Sequence, residues 1–211
     1  MTSDSSGKRL RPVLCVYCGA SSGTDPVFAG AARRLGTDMA RAGVDLVYGA
    51  GGIGLMGDVA RAVLAGGGHV TGVIPDFLKV REVHLKEIQE VIVTKDMHER
   101  KMLMFDRADA IVALPGGIGT LEELIEQLTW AQLGQHRKPI VIANIGGFWD
   151  PLLQLLGHMH VAGFLNKPFM PGAAEARYHV VTRIEDVLPH TLALLQPNPA
   201  ATADSDIARR F

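Results

Sequence analysis

Within eight residues of this 211-residue chain lie Gly116, Gly117, Gly119, Thr120, Glu122 and Glu123. Glycines lack a Cβ and reach positive φ, so their amides can converge on a ligand oxygen. A helix beginning near Thr120 would aim its first free N–H groups and the positive end of its dipole into the same turn. Together these form a main-chain site for a phosphate. Thr120 and Glu123 share a helix face, with Gln127 one turn further on, while Glu122 is rotated away. A carboxylate beside a bound phosphate can stabilise positive charge on a sugar and orient or deprotonate water. Thr-x-x-Glu is also capping-box spacing, in which Glu123 would reach back to the Thr120 amide; the two uses can alternate. Arg100 and Lys101 sit near the start of a helical pattern over Met97 to Ala108, whose buried side reads as Met102, Phe105 and Ala108. Cations there oppose the helix dipole, which points to contact with phosphate or sugar.

These groups need a frame. Hydrophobic residues make up 47% of the chain and charged residues 20%, a globular α/β balance long enough to bury a core without disulfides or metals. The formal charge of -1 leaves no footprint for a nucleic-acid polymer. The polar start and the lack of a bilayer-length apolar run predict no membrane association and a cytoplasmic protein.

The apolar run Ile111 to Leu114 reads as a buried strand stopped by Pro115. Further strands are expected over Val13 to Tyr17, Asp45 to Tyr48, Val70 to Ile74, Ile88 to Thr94, Pro139 to Ile145 and Tyr178 to Val181. Helices are expected from Pro26 to Gly43, Asp58 to Ala65, Pro151 to Phe164 and Ile184 to Leu195. The alternation predicts a Rossmann-like, doubly wound parallel sheet with helices on both faces and its site at the carboxyl ends of the strands. One domain, 12–195, would lie between mobile tails at 1–11 and 196–211.

Gly49, Gly51 and Gly54 spell G-x-G-x-x-G, with Asp76 further on. The pattern follows the second strand rather than the first, so a glycine loop packed beside a nucleotide monophosphate is the better reading than a dinucleotide site. Cys15 and Cys18 fall in a strand, three apart and on opposite faces, and read as buried free thiols. His158 and His160 lie on different helix faces, so no metal site is expected. No lysine follows the glycines as in a P-loop, which disfavours triphosphate hydrolysis.

Pro115-Gly116-Gly117-Ile118-Gly119-Thr120-Leu121-Glu122-Glu123 resembles the PGGxGTxxE motif of the Lonely Guy (LOG) family, and Met97-His98-Glu99-Arg100-Lys101 is similar to the basic segment that accompanies it. Family-like blocks recur at Cys15 to Ser21, Tyr48 to Gly57 and Thr129 to Gly134, and the resemblance spans about Val13 to Leu195. It implies a phosphoribohydrolase that cleaves cytokinin riboside 5'-monophosphates, as a homodimer with sites near the subunit interface and with no metal or organic cofactor. Arg100 and Glu123 match the catalytic pair. Glu123 would stabilise the oxocarbenium ion and orient water, and Arg100 would position the ribose phosphate or leaving group. Glu82, Lys101, Thr129 and the run Gly116, Gly117, Ile118, Gly119, Thr120, Leu121 and Glu122 match substrate-binding positions, and Ser21 a phosphate neighbour.

A module that holds AMP without cleaving it is the alternative, separated by whether Glu123 is needed. The lysine decarboxylase label often given to such proteins is disfavoured, because no lysine stands in a setting for a pyridoxal Schiff base. An N6-prenyl group would need an apolar pocket. Met97, Met102, Phe105 and Trp130 are candidates for it, although such spacing is more typical of core.

Overall fold

The computed structural model describes residues 11–79, 85, 87–165, 171–172 and 176–196. Seven parallel strands form one sheet in the order β4-β3-β2-β1-β5-β6-β7. They are β1 Val13–Tyr17, β2 Asp45–Tyr48, β3 Val70–Pro75, β4 Glu90–Thr94, β5 Ala110–Ala113, β6 Ile140–Ala143 and β7 His179–Val181. The chain winds outward from β1 to β4, then returns to pair β5 with the other edge of β1. That reversal opens a crevice at the carboxyl ends of β1 and β5, where open parallel sheets bind ligands.

Alternation along β1 splits the core in two. Leu14 and Val16 join the cluster under helices α1 Pro26–Arg41, α2 Gly54–Ala65 and α6 Ile184–Leu195; Cys15 and Tyr17 join the cluster under α3 Met97–Arg107, α4 Ile118–Gln132 and α5 Asp150–Val161. Cys15 and Cys18 are free and buried in opposite clusters, as the strand reading expected. Burial pushes both thiols well above their ordinary range.

Helix starts follow their capping chemistry. Asp25 accepts the Val27 N–H at 2.9 Å ahead of Pro26 in the first turn of α1, where a missing donor costs nothing. Asp96 likewise accepts the Glu99 N–H at 2.8 Å, and Glu99 reaches back to the Lys95 N–H at 2.8 Å. The reciprocal cap expected at Thr120 and Glu123 is thus found, in variant form, at the start of α3; α4 has no side-chain cap.

Several boundaries differ from the sequence reading. Helix α4 begins at Ile118 rather than near Thr120, and α2 at Gly54 rather than Asp58. The buried side of α3 carries Arg100, Met104 and Ala108, and Met102 and Phe105 are only half-buried. Apolar periodicity placed Ala108 correctly but gave no sign that Arg100 is buried, because a guanidinium contributes nothing to an apolar pattern. The tails expected at 1–11 and 196–211 lie outside the described residues except for Arg11 and Gln196.

Candidate active site

Three loops meet at the carboxyl edge. The Gly19 N–H donates to the Pro115 carbonyl at 3.0 Å, and the Met56 N–H to the Gly19 carbonyl at 3.2 Å. The loop after β1 therefore locks the glycine loops after β5 and β2 together. Gly116 needs to be glycine for space, since a Cβ there would strike the Thr120 side chain and the Gly19 amide. Of the two freedoms glycine offers, the turn does not use positive φ: Gly116, Gly117 and Gly119 are absent from the left-handed region, and Gly117 has φ -89°. Its compactness comes from missing side chains instead.

The first backbone bond of α4 runs from the Leu121 N–H to the Gly117 carbonyl at 3.0 Å. The N–H groups of Ile118, Gly119 and Thr120 precede it, at the positive end of a 15-residue helix, which is anion-binding geometry. A Cβ on Gly117 or Gly119 would meet nothing within 4 Å, so the approach to these donors is open. Ile118 projects outward at 82% exposure. Ser21 lines an adjoining cleft of about 190 Å³ with Phe28, Leu55, Gly116, Gly117 and Phe148. Phe28 and Phe148 stack edge to face with centroids 5.5 Å apart. Sequence reasoning missed this aromatic wall. Gly146-Gly147-Phe148 after β6, a further glycine loop at the same edge, was its available signal.

Thr120, Glu123 and Gln127 are buried on one side of α4, and Glu122 is exposed. Glu123 Oε1 accepts from Arg100 Nη1 at 3.2 Å. Arg100 also donates through Nε to the Val73 carbonyl at 3.1 Å and through Nη2 to the Gly49 carbonyl at 3.4 Å. Both side chains are about nine-tenths buried, so the guanidinium is held by three elements in a fixed orientation. Gly49 makes room for it, because a Cβ would fall on the guanidinium. The first glycine of the G-x-G-x-x-G pattern thus seats an arginine. Asp76 is exposed at the head of a short 3-10 turn.

Burial pushes the Glu123 carboxyl up to about 7, against the downward pull of Arg100; Glu122 adds to the rise, Lys101 opposes it and Glu126 adds again. A group titrating there can both hold and release a proton near neutrality.

Lys101 donates to Glu122 at 2.6 Å and to Glu126 at 3.0 Å. Burial pulls its pKa down, but the two carboxylates outweigh that and hold the ammonium above its ordinary range. Met97 Sδ lies 4.0 Å from Arg100 Nη1, which places Met97 at the site. Phe105 and Trp130 instead pack on each other, centroids 5.5 Å apart, and Lys138 Nζ caps Phe105 at 3.8 Å. Leu121 is half-buried against the core.

Thr129 is not brought to the loop. Its hydroxyl donates to the Ile125 carbonyl at 2.8 Å on the exposed side of α4, about 14 Å along the axis from Thr120 at 1.5 Å per residue. Glu82 lies outside the described residues. Among the described residues no group of three or more His, Cys, Asp or Glu side chains could hold a metal, and no helix is long and apolar enough to cross a membrane. A larger cavity, about 350 Å³, opens at the amino ends of β6 and β7, beside Arg137, Ile140, Arg177 and His179. It lies at the opposite edge of the sheet from Glu123.

A family profile described as "Possible lysine decarboxylase" matches residues 56–190. The chain is 50% identical over 153 residues to cytokinin riboside 5'-monophosphate phosphoribohydrolase LOG7 of Arabidopsis thaliana, covering 72% of this chain and 70% of that one. It is 46% identical over 179 residues to the LOG enzyme of the same name from Oryza sativa subsp. japonica, covering 83% and 74%. Among solved structures, the molybdenum cofactor binding protein of Rippkaea orientalis superposes with a TM-score of 0.66 at 18% identity, over 90% of this chain and 100% of that one. The Moco carrier protein of Chlamydomonas reinhardtii does so with 0.65 at 21%, over 88% and 98%. At such identities these two neighbours speak for the fold alone.

Proposed function

The chain belongs to the LOG family of cytokinin riboside 5'-monophosphate phosphoribohydrolases, and from that premise we propose that Glu123 and Arg100 carry its chemistry at the head of α4. It is a hydrolase that cleaves the N-glycosidic bond of a cytokinin nucleotide and releases the free base. Ribose 5-phosphate is the other product, and plain AMP is a second substrate.

The observation that carries the residue assignment is the buried Arg100–Glu123 pair beside the open amino end of α4. The 5'-phosphate sits on the N–H groups of Ile118, Gly119 and Thr120, with Ser21 alongside. The anomeric carbon then faces Glu123. As the C1'–N9 bond breaks, its electron pair leaves with the purine, and the ionised carboxylate stabilises the positive charge on the ribose ring. The oxygen of a water forms the new bond to C1', its proton passes to Glu123, and solvent protonates the departing nitrogen. Arg100 keeps Glu123 oriented and presents positive charge to the phosphate or the base.

A decarboxylase reading fails on Lys101. A Schiff-base lysine needs a lowered pKa, whereas Lys101 is held protonated between two carboxylates. The alternative of an AMP-holding module that does not hydrolyse is not favoured, since the relatives matched over most of the chain bear the name of an enzyme.

The working unit is residues 12–195 as a cytoplasmic homodimer. Support for the dimer comes from Thr129, which matches a substrate-binding position yet faces away from its own loop, flanked by Ile125 at 37% and Leu133 at 67% exposure. The deciding experiment is chromatographic product analysis with AMP and with isopentenyladenosine 5'-monophosphate. Wild type should release free base, and Glu123→Gln should lose about 10³-fold in kcat with KM little changed. Full activity in the variant would overturn the assignment.

A further inference from the structure

Beneath Glu123 the fold buries polar groups that find no nitrogen or oxygen partner among the described residues. Among the described residues both amide atoms of Gln127 and Glu126 Oε2 are buried without a hydrogen bond, and the Tyr17 hydroxyl has no nitrogen or oxygen partner, only the Cys15 thiol beside it. Tyr17 is 1% and Gln127 0% exposed. Phenylalanine and leucine would fill the same space with nothing left unpaired, so a hydroxyl and an amide here call for a partner.

Their positions share one neighbourhood. Glu126 and Gln127 follow Glu123 by three and four residues on α4, one turn along the same side. Tyr17, the last residue of β1, points from the sheet into the cluster under α4. Burial raises its hydroxyl pKa most, the neighbouring Cys15 thiol adds to the rise, and Glu123 and Glu126 are both close enough to add further.

We propose that Tyr17, Gln127 and Glu126 bind internal water against the buried side of Glu123, and that Tyr17 and Gln127 are thereby positioning residues for that carboxylate. A water molecule can accept from the Tyr17 O–H or the Gln127 amide and donate to carboxylate oxygens, matching the donors and acceptors present. Arg100 bonds Glu123 Oε1; water donating to the other oxygen would fix the rotation of the carboxylate and favour its charged form. The groups facing Glu123 are Arg100 and Lys101 from α3, Glu122 and Glu126 from its own helix, and Cys15, Tyr17 and Cys18 from β1 and the residue after it. The two thiols and the phenol stay protonated through the working range, so they act on Glu123 as neutral dipoles.

The inference rests on Glu123 as the base, and its test separates the two. The pH dependence of kcat is measured for wild type, Tyr17→Phe, Gln127→Met and Glu123→Gln, with thermal melts to confirm folding. A crystal structure of the full-length wild type accompanies them. Expected are ordered water density at the Tyr17–Gln127–Glu126 floor, and an acid limb moved up by about one pH unit in either variant at nearly unchanged KM. A dry floor, or acid limbs that superimpose on wild type while Glu123→Gln is inactive, overturns the inference and leaves the base intact. Activity in Glu123→Gln overturns the base itself.

Discussion

Glu123 is buried at 8% exposure with its pKa raised to about 7 from 4.5, and that shift ties stability to catalysis. The folded protein holds this proton more tightly than the unfolded chain does. Ionising the group therefore costs stability: nothing below about pH 4.5, progressively more as pH rises, and the full amount, on the order of 3 kcal/mol, above about pH 7. Catalysis needs the same ionisation, so kcat/KM should rise with pH through a midpoint of about 7. Glu123→Gln has no proton to lose. Urea unfolding from about pH 5 to about pH 8 should show wild type losing stability relative to the variant, and a difference flat with pH would refute the raised value. Arg100 answers to different physics. Arg100→Lys keeps the charge but not the planar fork that reaches Glu123, Val73 and Gly49 together. It should lose at least about tenfold in kcat, because an ammonium cannot reproduce that geometry; unchanged steady-state kinetics would show that charge alone suffices.

The loops that join strand to helix set how closely a nucleotide can approach, and two glycines in them separate space for protein from space for ligand. A Cβ at Gly49 would fall on the Arg100 guanidinium, whereas one at Gly117 meets open space at an unstrained φ of -89°. Gly49→Ala should therefore lower kcat by displacing Arg100. Gly117→Ala should keep its stability to within about 0.5 kcal/mol and raise the KM for AMP about tenfold by obstructing the phosphate donors. Melting curves and steady-state kinetics on both variants check this; a Gly117→Ala enzyme with wild-type KM would place the phosphate elsewhere. This distinction was only half legible in the sequence. Gly116, Gly117 and Gly119 announced a tight turn before a helix, but composition does not say whether a glycine serves conformation or room, and here it is room. The face of α3 was misread for a related reason. Apolar periodicity cannot reveal that Arg100 is buried, since its three acceptors come from the loop after β2, from β3 and from α4, which only the folded sheet brings together. The variant cap at Asp96 and Glu99 competes with nothing, whereas at Thr120 the look-alike spacing loses Glu123 to Arg100.

Strand and helix alternation made the doubly wound sheet readable, since parallel strands need crossover helices and the ligand edge follows from that winding. What one chain's alternation could not disclose is where Thr129 belongs. It lies about 14 Å along α4 from the loop it was expected to serve, among exposed Ile125 and Leu133. In a two-fold dimer packed through this face, Thr129 would reach the partner's loop, and each site would combine Glu123 of one subunit with Thr129 of the other. Sedimentation should then report a dimer, and Leu133→Asp, which buries a charge in that interface, should dissociate it with loss of activity. Mixing supplies the sharper check. In such a dimer Glu123→Gln and Thr129→Ala would each spoil both sites of their own homodimer, but a mixed dimer would pair the intact Glu123 of one subunit with the intact Thr129 of the other at one of its two sites. Half of the dimers in an equal mixture are mixed, so activity should return to about a quarter of wild type. If Thr129 served its own subunit, each mixed dimer would carry one site without Glu123 and one without Thr129, and mixing would restore nothing.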